Sequence, residues 1–208
     1  AKRGRMRFSS TRDFQRALER AVRRSGLPVA FSSGFHPHPR ISYANAAPTG
    51  TASEAEYVEI ALVERVDPEA VRDALDTALP HGLDVIRVVE AGPGSLADPL
   101  EASVWRVEFR ATDGDGPEAG EPLERLRAAR AEFLGLDAAE VTRTVKGKPR
   151  TFDTRGALVR LDVTGPAAPE PDSAGAPTAP DGASTRPGAT CAILHMVVRH
   201  TTPAVRPD

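Results

Sequence analysis

The chain has 208 residues, 40% of them hydrophobic and only 5% aromatic, a size for one large or two small domains. Its lone cysteine, Cys191, excludes an intrachain disulfide, a multi-thiolate zinc site and a three-cysteine iron–sulfur cradle. No apolar run reaches the roughly 18 residues of a membrane helix, and no signal peptide opens the sequence, so the expectation is a cytoplasmic protein with no membrane partner. The charge is uneven: residues 1–40 hold ten basic side chains against Asp13 and Glu19, and the rest is acidic. A basic end on an acidic body is a footprint for a polyanion.

Met6 and Phe8 alternate with Arg5 and Arg7, which predicts a short strand. Ser10 or Thr11 can cap a following helix, with Asp13 completing a capping box on Ser10. Phe14, Ala17, Leu18, Ala21 and Val22 recur at helical spacing and form one apolar stripe. Gly26 and Pro28 stop that helix. Arg12, Arg16, Arg20 and Arg23 share one flank, with Arg24 beside them and Glu19 placed to neutralise them.

Residues 27–31 read as a second strand, which runs into "GFHPHPRIS" at 34–42. Residues 56–63 alternate around Tyr57, Val58, Ile60 and Leu62 and predict a strand. Asp67 and Pro68 start a helix with Val71, Leu75, Ala78 and Leu79 buried, and 85–89 closes the unit as a strand. The order β-α-β-β-α-β is the split pattern of ferredoxin-like domains.

"GPGSLADPLE" at 92–101 is punctuation, and a second unit follows. Residues 104–109 predict a strand and 121–136 a helix. Strands at 141–145 and 157–163 are expected to be joined by the basic turn "KGKPR" at 146–150. Residues 164–190 are low-complexity proline, alanine and glycine, expected to be disordered. Residues 191–199 predict a strand, and 203–208 the start of a helix. The expected architecture is therefore α+β, with two tandem ferredoxin-like (split βαβ) domains. The first spans 1–91, a linker 92–102, and the second 103–208, C-terminally incomplete with the insertion at 164–190.

The "GFHPHP" loop admits three chemistries. His36 and His38 both precede a proline, so both are pushed to extended backbone and can share a face. That would suit a metal, but no third ligand stands nearby in sequence, and no metal or cofactor is expected. A general acid or base at His36 or His38 is possible in type, since Ser32 and Ser33 are close, but no nucleophile elbow is present. A rigid recognition loop is the third reading. Pro37 and Pro39 fix φ before any ligand arrives, and Gly34 allows a turn and close approach. Phe35, His36 and His38 offer flat faces for a base, and Arg40 can neutralise a phosphate. Lys146, Lys148 and Arg150 form a second basic cluster. A proline-stiffened loop that only covers a sheet edge fits the same residues.

Residues 4–62 carry R-x-R-F-x-S, R-A-L-x-R-A-x-R-R-x-G-L-P, S-x-G-F-x-P-H-P-x-I-S and S-E-A-E-Y in order. In these motifs, and in "ILHMVVRHTTPAVRPD" at 193–208, the chain closely resembles the radical SAM-linked protein family. These are uncharacterised bacterial domains fused to, or encoded beside, radical SAM enzymes. The resemblance covers essentially the whole chain except the low-complexity segment, and implies a few further residues before it and more after it. One departure is Thr11, where the family commonly has histidine in an S-H-x-D stretch. The resemblance implies a radical SAM enzyme as partner, and with one cysteine this chain cannot hold that enzyme's cluster itself. Tandem ferredoxin-like halves also resemble, at the level of fold alone, the CRISPR RNA-processing endoribonucleases.

The expected function is a non-catalytic RNA-binding accessory module that works with a radical SAM enzyme or an RNA-processing partner. Arg12, Arg16, Arg20, Arg23 and Arg24 would meet phosphates, and Gly34, Phe35, His36, Pro37, His38 and Arg40 a nucleotide. One alternative is a protein-docking or substrate-presenting domain for the radical SAM enzyme. The other is a metal-independent endoribonuclease with His36 or His38 as acid or base.

Overall fold

The computed structural model describes residues 1–44, 46–110, 122–145, 147–165, 190–201 and 205. It is a mixed α/β structure with antiparallel sheets, and the chain divides into two units, Ala1–Leu100 and a second that begins at Glu101.

In the first unit the strand expected at Met6–Phe8 is instead a 3-10 helix, Gly4–Phe8. Gly4 takes φ 52°, a left-handed turn that diverts the chain, and the amides of Met6 and Ser9 bond three residues back. The alternation of Arg5, Met6, Arg7 and Phe8 is too short to separate a period of two from one of three. Pairing moves upstream to Lys2, which bridges both Ser53 and Leu83.

Helix α1, Thr11–Arg24, starts where its cap predicts. The Ser10 hydroxyl accepts from the Asp13 amide at 3.2 Å and donates to the Asp13 carboxylate at 2.7 Å. That hydrogen bond holds the Asp13 carboxyl below its usual value, with Arg16 and Arg12 helping. Ala17, Leu18, Ala21 and Val22 are buried, as the periodicity requires. Gly26, at φ 72°, ends the helix region.

Strands β1, Ile41–Ala44, and β2, Tyr57–Ile60, pair antiparallel with Ile41 opposite Ile60. The segment expected as a strand at 27–31 makes isolated bridges rather than a full ladder: Val29 with Leu62, and Phe31 with Pro39. Pro28 and Pro39 remove two donors that a longer ladder needs. Helix α2, Pro68–Ala78, is capped by Asp67, whose carboxylate accepts from the Ala70 amide at 3.2 Å. Leu18, Val22, Val29, Val71 and Leu75 form the core, with Ile41, Tyr43, Val58, Ile60, Val85 and Val88 packed against it. Residues 85–89 make no strand, although Val85 and Val88 reach the core. The Val85 amide is held by the Asp76 carboxylate at 2.7 Å rather than by a neighbouring strand.

In the second unit β3, Ala102–Arg110, is followed by helix α3, Pro122–Leu134. Strands β4, Glu140–Val145, and β5, Lys148–Asp153, form a hairpin in which Val145 faces Lys148. Strands β6, Leu158–Thr164, and β7, Thr190–Arg199, join β3 in an antiparallel sheet of order β3-β7-β6. The "KGKPR" residues are therefore not one turn between 141–145 and 157–163. Gly147, at φ 76°, makes the turn, and residues 148–150 return as strand. Ala157, Leu161, Ala192, Ile193 and Val198 are buried, and α3 packs on β6 and β7. The insertion expected over 164–190 lies outside the described residues from 166 to 189, and so does the helix start at 203–208 apart from Val205. Among the described residues no helix is long and apolar enough to cross a membrane.

Candidate functional site

The side of α1 opposite its buried stripe is basic. Arg12, Arg16, Arg20, Arg23 and Arg24 are all exposed. Among the described residues, no hydrogen bond or ion pair engages the guanidinium groups of Arg12, Arg16 or Arg20. From Arg12 to Arg23 the row runs about 16 Å along the helix axis. Glu19 sits on the same flank but forms no ion pair among the described residues; burial raises the pKa of Tyr43, and the Glu19 charge adds to that. The far end of the row has two structural attachments. The Arg24 guanidinium donates to the Ala78 carbonyl at 2.5 Å, where a cation meets the negative end of α2. The Arg23 guanidinium lies over the Phe31 ring, 5.7 Å from its centroid.

Phe31 stands at the base of the "GFHPHP" loop, so this contact joins the arginine row to the loop. The base is stitched shut. The Ser32 amide donates to the His38 carbonyl at 2.9 Å, and the His38 amide donates to the Ser32 hydroxyl at 3.1 Å. Below them, Phe31 bridges Pro39, which is buried, and the Arg40 amide donates to the Ala30 carbonyl at 2.9 Å. Above this neck the chain turns at Gly34, with φ 120°, a conformation that side-chain-bearing residues avoid. Phe35 projects wholly into solvent, at 102% relative exposure. His36, Pro37, His38 and Arg40 are exposed as well. The loop is a solvent-facing post whose base is closed by hydrogen bonds between Ser32 and His38 and between Ala30 and Arg40.

The remaining basic residues belong to the second unit. Lys148 and Arg150 are exposed on β5, and Arg150 lies directly opposite Arg143. Lys146 lies outside the described residues. Arg155, by contrast, points back to the Leu134 carbonyl at 3.4 Å. The Asp153 carboxylate closes the far end of this hairpin: it accepts from the amides of Ala139 at 2.9 Å, Arg155 at 3.0 Å and Gly156 at 3.0 Å. Those backbone bonds, Ala139 first, hold its carboxyl below the usual range.

Four juxtapositions escape a reading of the sequence. Ser103 and His200 share a hydrogen bond at 2.6 Å that ties β3 to the chain beyond β7. Thr164 and His195 meet at 3.3 Å across the same sheet. Lys2 is buried to 3% exposure, and its ammonium donates to the carbonyls of Ala47 and Pro48, both at 3.3 Å. The Tyr43 hydroxyl is buried without a hydrogen-bond partner among the described residues. In the first two cases only strand register brings residues so far apart in sequence together, and no local motif announces it. Among the described residues, no group of three or more His, Cys, Asp or Glu side chains could hold a metal ion.

Comparison with curated proteins and with solved structures returned no match. A protein-family model described as "Uncharacterized protein conserved in bacteria (DUF2344)" matches residues 1–207, and the chain belongs to that family.

Proposed function

We propose that this member of the DUF2344 family is an RNA-binding accessory module that acts through the α1 arginines and the "GFHPHP" loop. The observation that carries the reading is the row Arg12, Arg16 and Arg20. These are three exposed guanidinium groups that no hydrogen bond or ion pair engages among the described residues, continued by Arg23 into the loop base. A protein that spends arginines on its own stability pairs them, as Arg72 is paired with Glu69 and Asp73 on α2. An unpaired row repels itself and gains from a polyanion, whose phosphates match guanidinium forks.

The module has no catalytic residue in this reading. It presents RNA, transfer or ribosomal, to a radical SAM enzyme or to an RNA-processing partner. The radical SAM partner rests on the sequence resemblance. We read each unit as ferredoxin-like. In the second unit the support is strand order: β7 lies between β3 and β6, two strands whose connection holds α3 and the β4–β5 hairpin. Lys148 and Arg150 would add phosphate contacts from that unit, as would Lys146.

Fluorescence anisotropy with a labelled transfer-RNA pool tests the proposal. If Arg12, Arg16, Arg20 and Arg23 each neutralise one phosphate, affinity falls on the order of 100-fold between 50 and 200 mM salt. Changing Arg16, Arg20 and Arg23 together to Glu abolishes binding. No binding at the lower salt, or binding untouched by the triple change, overturns the proposal.

One observation favours a second reading. A phenylalanine wholly in solvent is also a suitable anchor for a protein surface. Docking to a radical SAM enzyme without RNA predicts co-purification with that enzyme, lost in Phe35→Ala and insensitive to the triple arginine change.

A further inference from the structure

The RNA reading does not say which form of RNA the surface takes. We infer that it takes a single strand, with one unpaired base stacked on Phe35. This inference rests on the proposed function and adds a substrate class to it.

A duplex keeps its bases stacked inside and offers phosphates and sugars to a protein surface. The arginine row would suffice for that, and an exposed ring would add nothing. Phe35 is fully solvated, more exposed than any other large hydrophobic residue among those described. Nothing within the unit gains from its position there. The loop that carries it is nevertheless held firmly. Two hydrogen bonds join Ser32 and His38, Pro39 is buried beneath them, and Pro37 restricts the tip. A loop whose backbone is already closed at its base loses less further freedom when a base covers the ring it carries.

Position adds a second argument. Arg23 leans on Phe31, so the basic track along α1 ends at the loop base and the ring stands beyond it. A cationic track that follows the backbone and leads to an aromatic face is how single strands are held without a sequence code. Phenylalanine meets every base through the same π-face, so preference among the four bases is small.

The test uses the whole chain at one salt concentration, with a labelled unstructured RNA of about 12 nucleotides and a duplex of the same length, sizes within the usual single-strand site range. The expected result is that the single strand binds at least ten-fold more tightly than the duplex. Phe35→Ala then weakens the single strand by about ten-fold and leaves the duplex unchanged. Phe35→Trp keeps the affinity, and its emission, measured as the difference from wild type with Trp105 present, is quenched on binding. Because the ring touches nothing in the fold, neither change threatens folding, and circular dichroism checks that. Equal binding of both forms with no effect of Phe35→Ala overturns the single-strand inference and leaves the RNA surface standing. Binding of neither form at low salt overturns both.

Discussion

Ser32 and His38 hold each other twice across the mouth of the loop, backbone amide to carbonyl at 2.9 Å and backbone amide to hydroxyl at 3.1 Å. The first bond survives a change of Ser32 to alanine, and the second does not. Ser32→Ala therefore isolates the hydroxyl's contribution to stiffness. The thermal midpoint stays nearly constant, because the pair is exposed. On the proposed RNA reading, affinity falls by a few-fold, as expected for one hydrogen bond worth about 0.5–1.5 kcal/mol that preorganises the loop. Anisotropy and a melting curve on the same sample separate the two effects, and an unchanged affinity would show that the hydroxyl does not stiffen the loop.

Leu18 is 3% exposed at the centre of the first unit's core, beside Val22, Val71 and Leu75. Leu18→Ala costs about 2–5 kcal/mol through lost transfer energy and a cavity. Leu18→Asp buries a carboxylate with no cation on that face, and unfolds the unit. Chemical denaturation followed by circular dichroism reads both, and a cooperative, native-like Leu18→Asp protein would show that the helix face is wrongly assigned.

Tyr43 packs edge-on to Phe14, with centroids 6.3 Å apart, while its hydroxyl is buried and unbonded among the described residues. Desolvation, with the Glu19 charge second, raises its pKa to about 12. For an acid whose folded pKa is raised, the stability contribution is complete below the unfolded value of 10 and disappears as pH climbs towards 12. Stability therefore declines across that window, and the decline is shallower in Tyr43→Phe. At neutral pH the same change removes an unsatisfied polar group and raises stability by up to about 1 kcal/mol. Urea midpoints at pH 7 and at alkaline pH check both, and a destabilised Tyr43→Phe would mean the hydroxyl has a partner.

The Asp153 carboxylate gathers three amides at the foot of the β4–β5 hairpin, and its pKa is lowered. A depressed carboxyl stabilises the fold above its unfolded value near 3.8, and that contribution is lost as pH falls below it. Asp153→Ala lowers the melting temperature of the second unit at pH 7 and flattens its acid dependence. Gly156 belongs to the same device, because a Cβ there would lie 2.7 Å from the Asp153 carboxylate. Gly156→Ala pushes that carboxylate aside and imitates part of the Asp153→Ala effect. Melting curves at pH 3 and pH 7 read both variants, and identical acid profiles for wild type and Asp153→Ala would refute the assignment.

Local signals in the sequence were legible where one short stretch held the whole cause. α1 was readable because five apolar residues keep one helical period and Ser10 precedes them. α2 was readable because Asp67 and Pro68 begin it. β1 was not, since four residues after a proline-rich loop acquire strand geometry only by pairing with Tyr57–Ile60. The turn expected at 146–150 between 141–145 and 157–163 takes in the start of β5, which the sequence reading does not separate. Gly147, at φ 76°, lies in it, while Lys148 and Pro149 look like turn residues but pair with β4. The arginine flank and the loop were both visible as composition and spacing. Their junction through Arg23 and Phe31 was not, because eight positions and a change of chain direction separate the two residues. Arg24 shows the reverse error of scale: it reads as one more member of a basic run, and the carbonyl it caps lies on a different helix.

The closed base of the loop has a consequence for what this chain can tolerate. Residues 33–37 hang from a stitched neck, which hydrogen bonds between residues 30–32 and 38–40 close. The tip is thus an exchangeable cassette. Substitutions confined to residues 33–37 are expected to leave the helix, the sheet and the core beneath in the same shape.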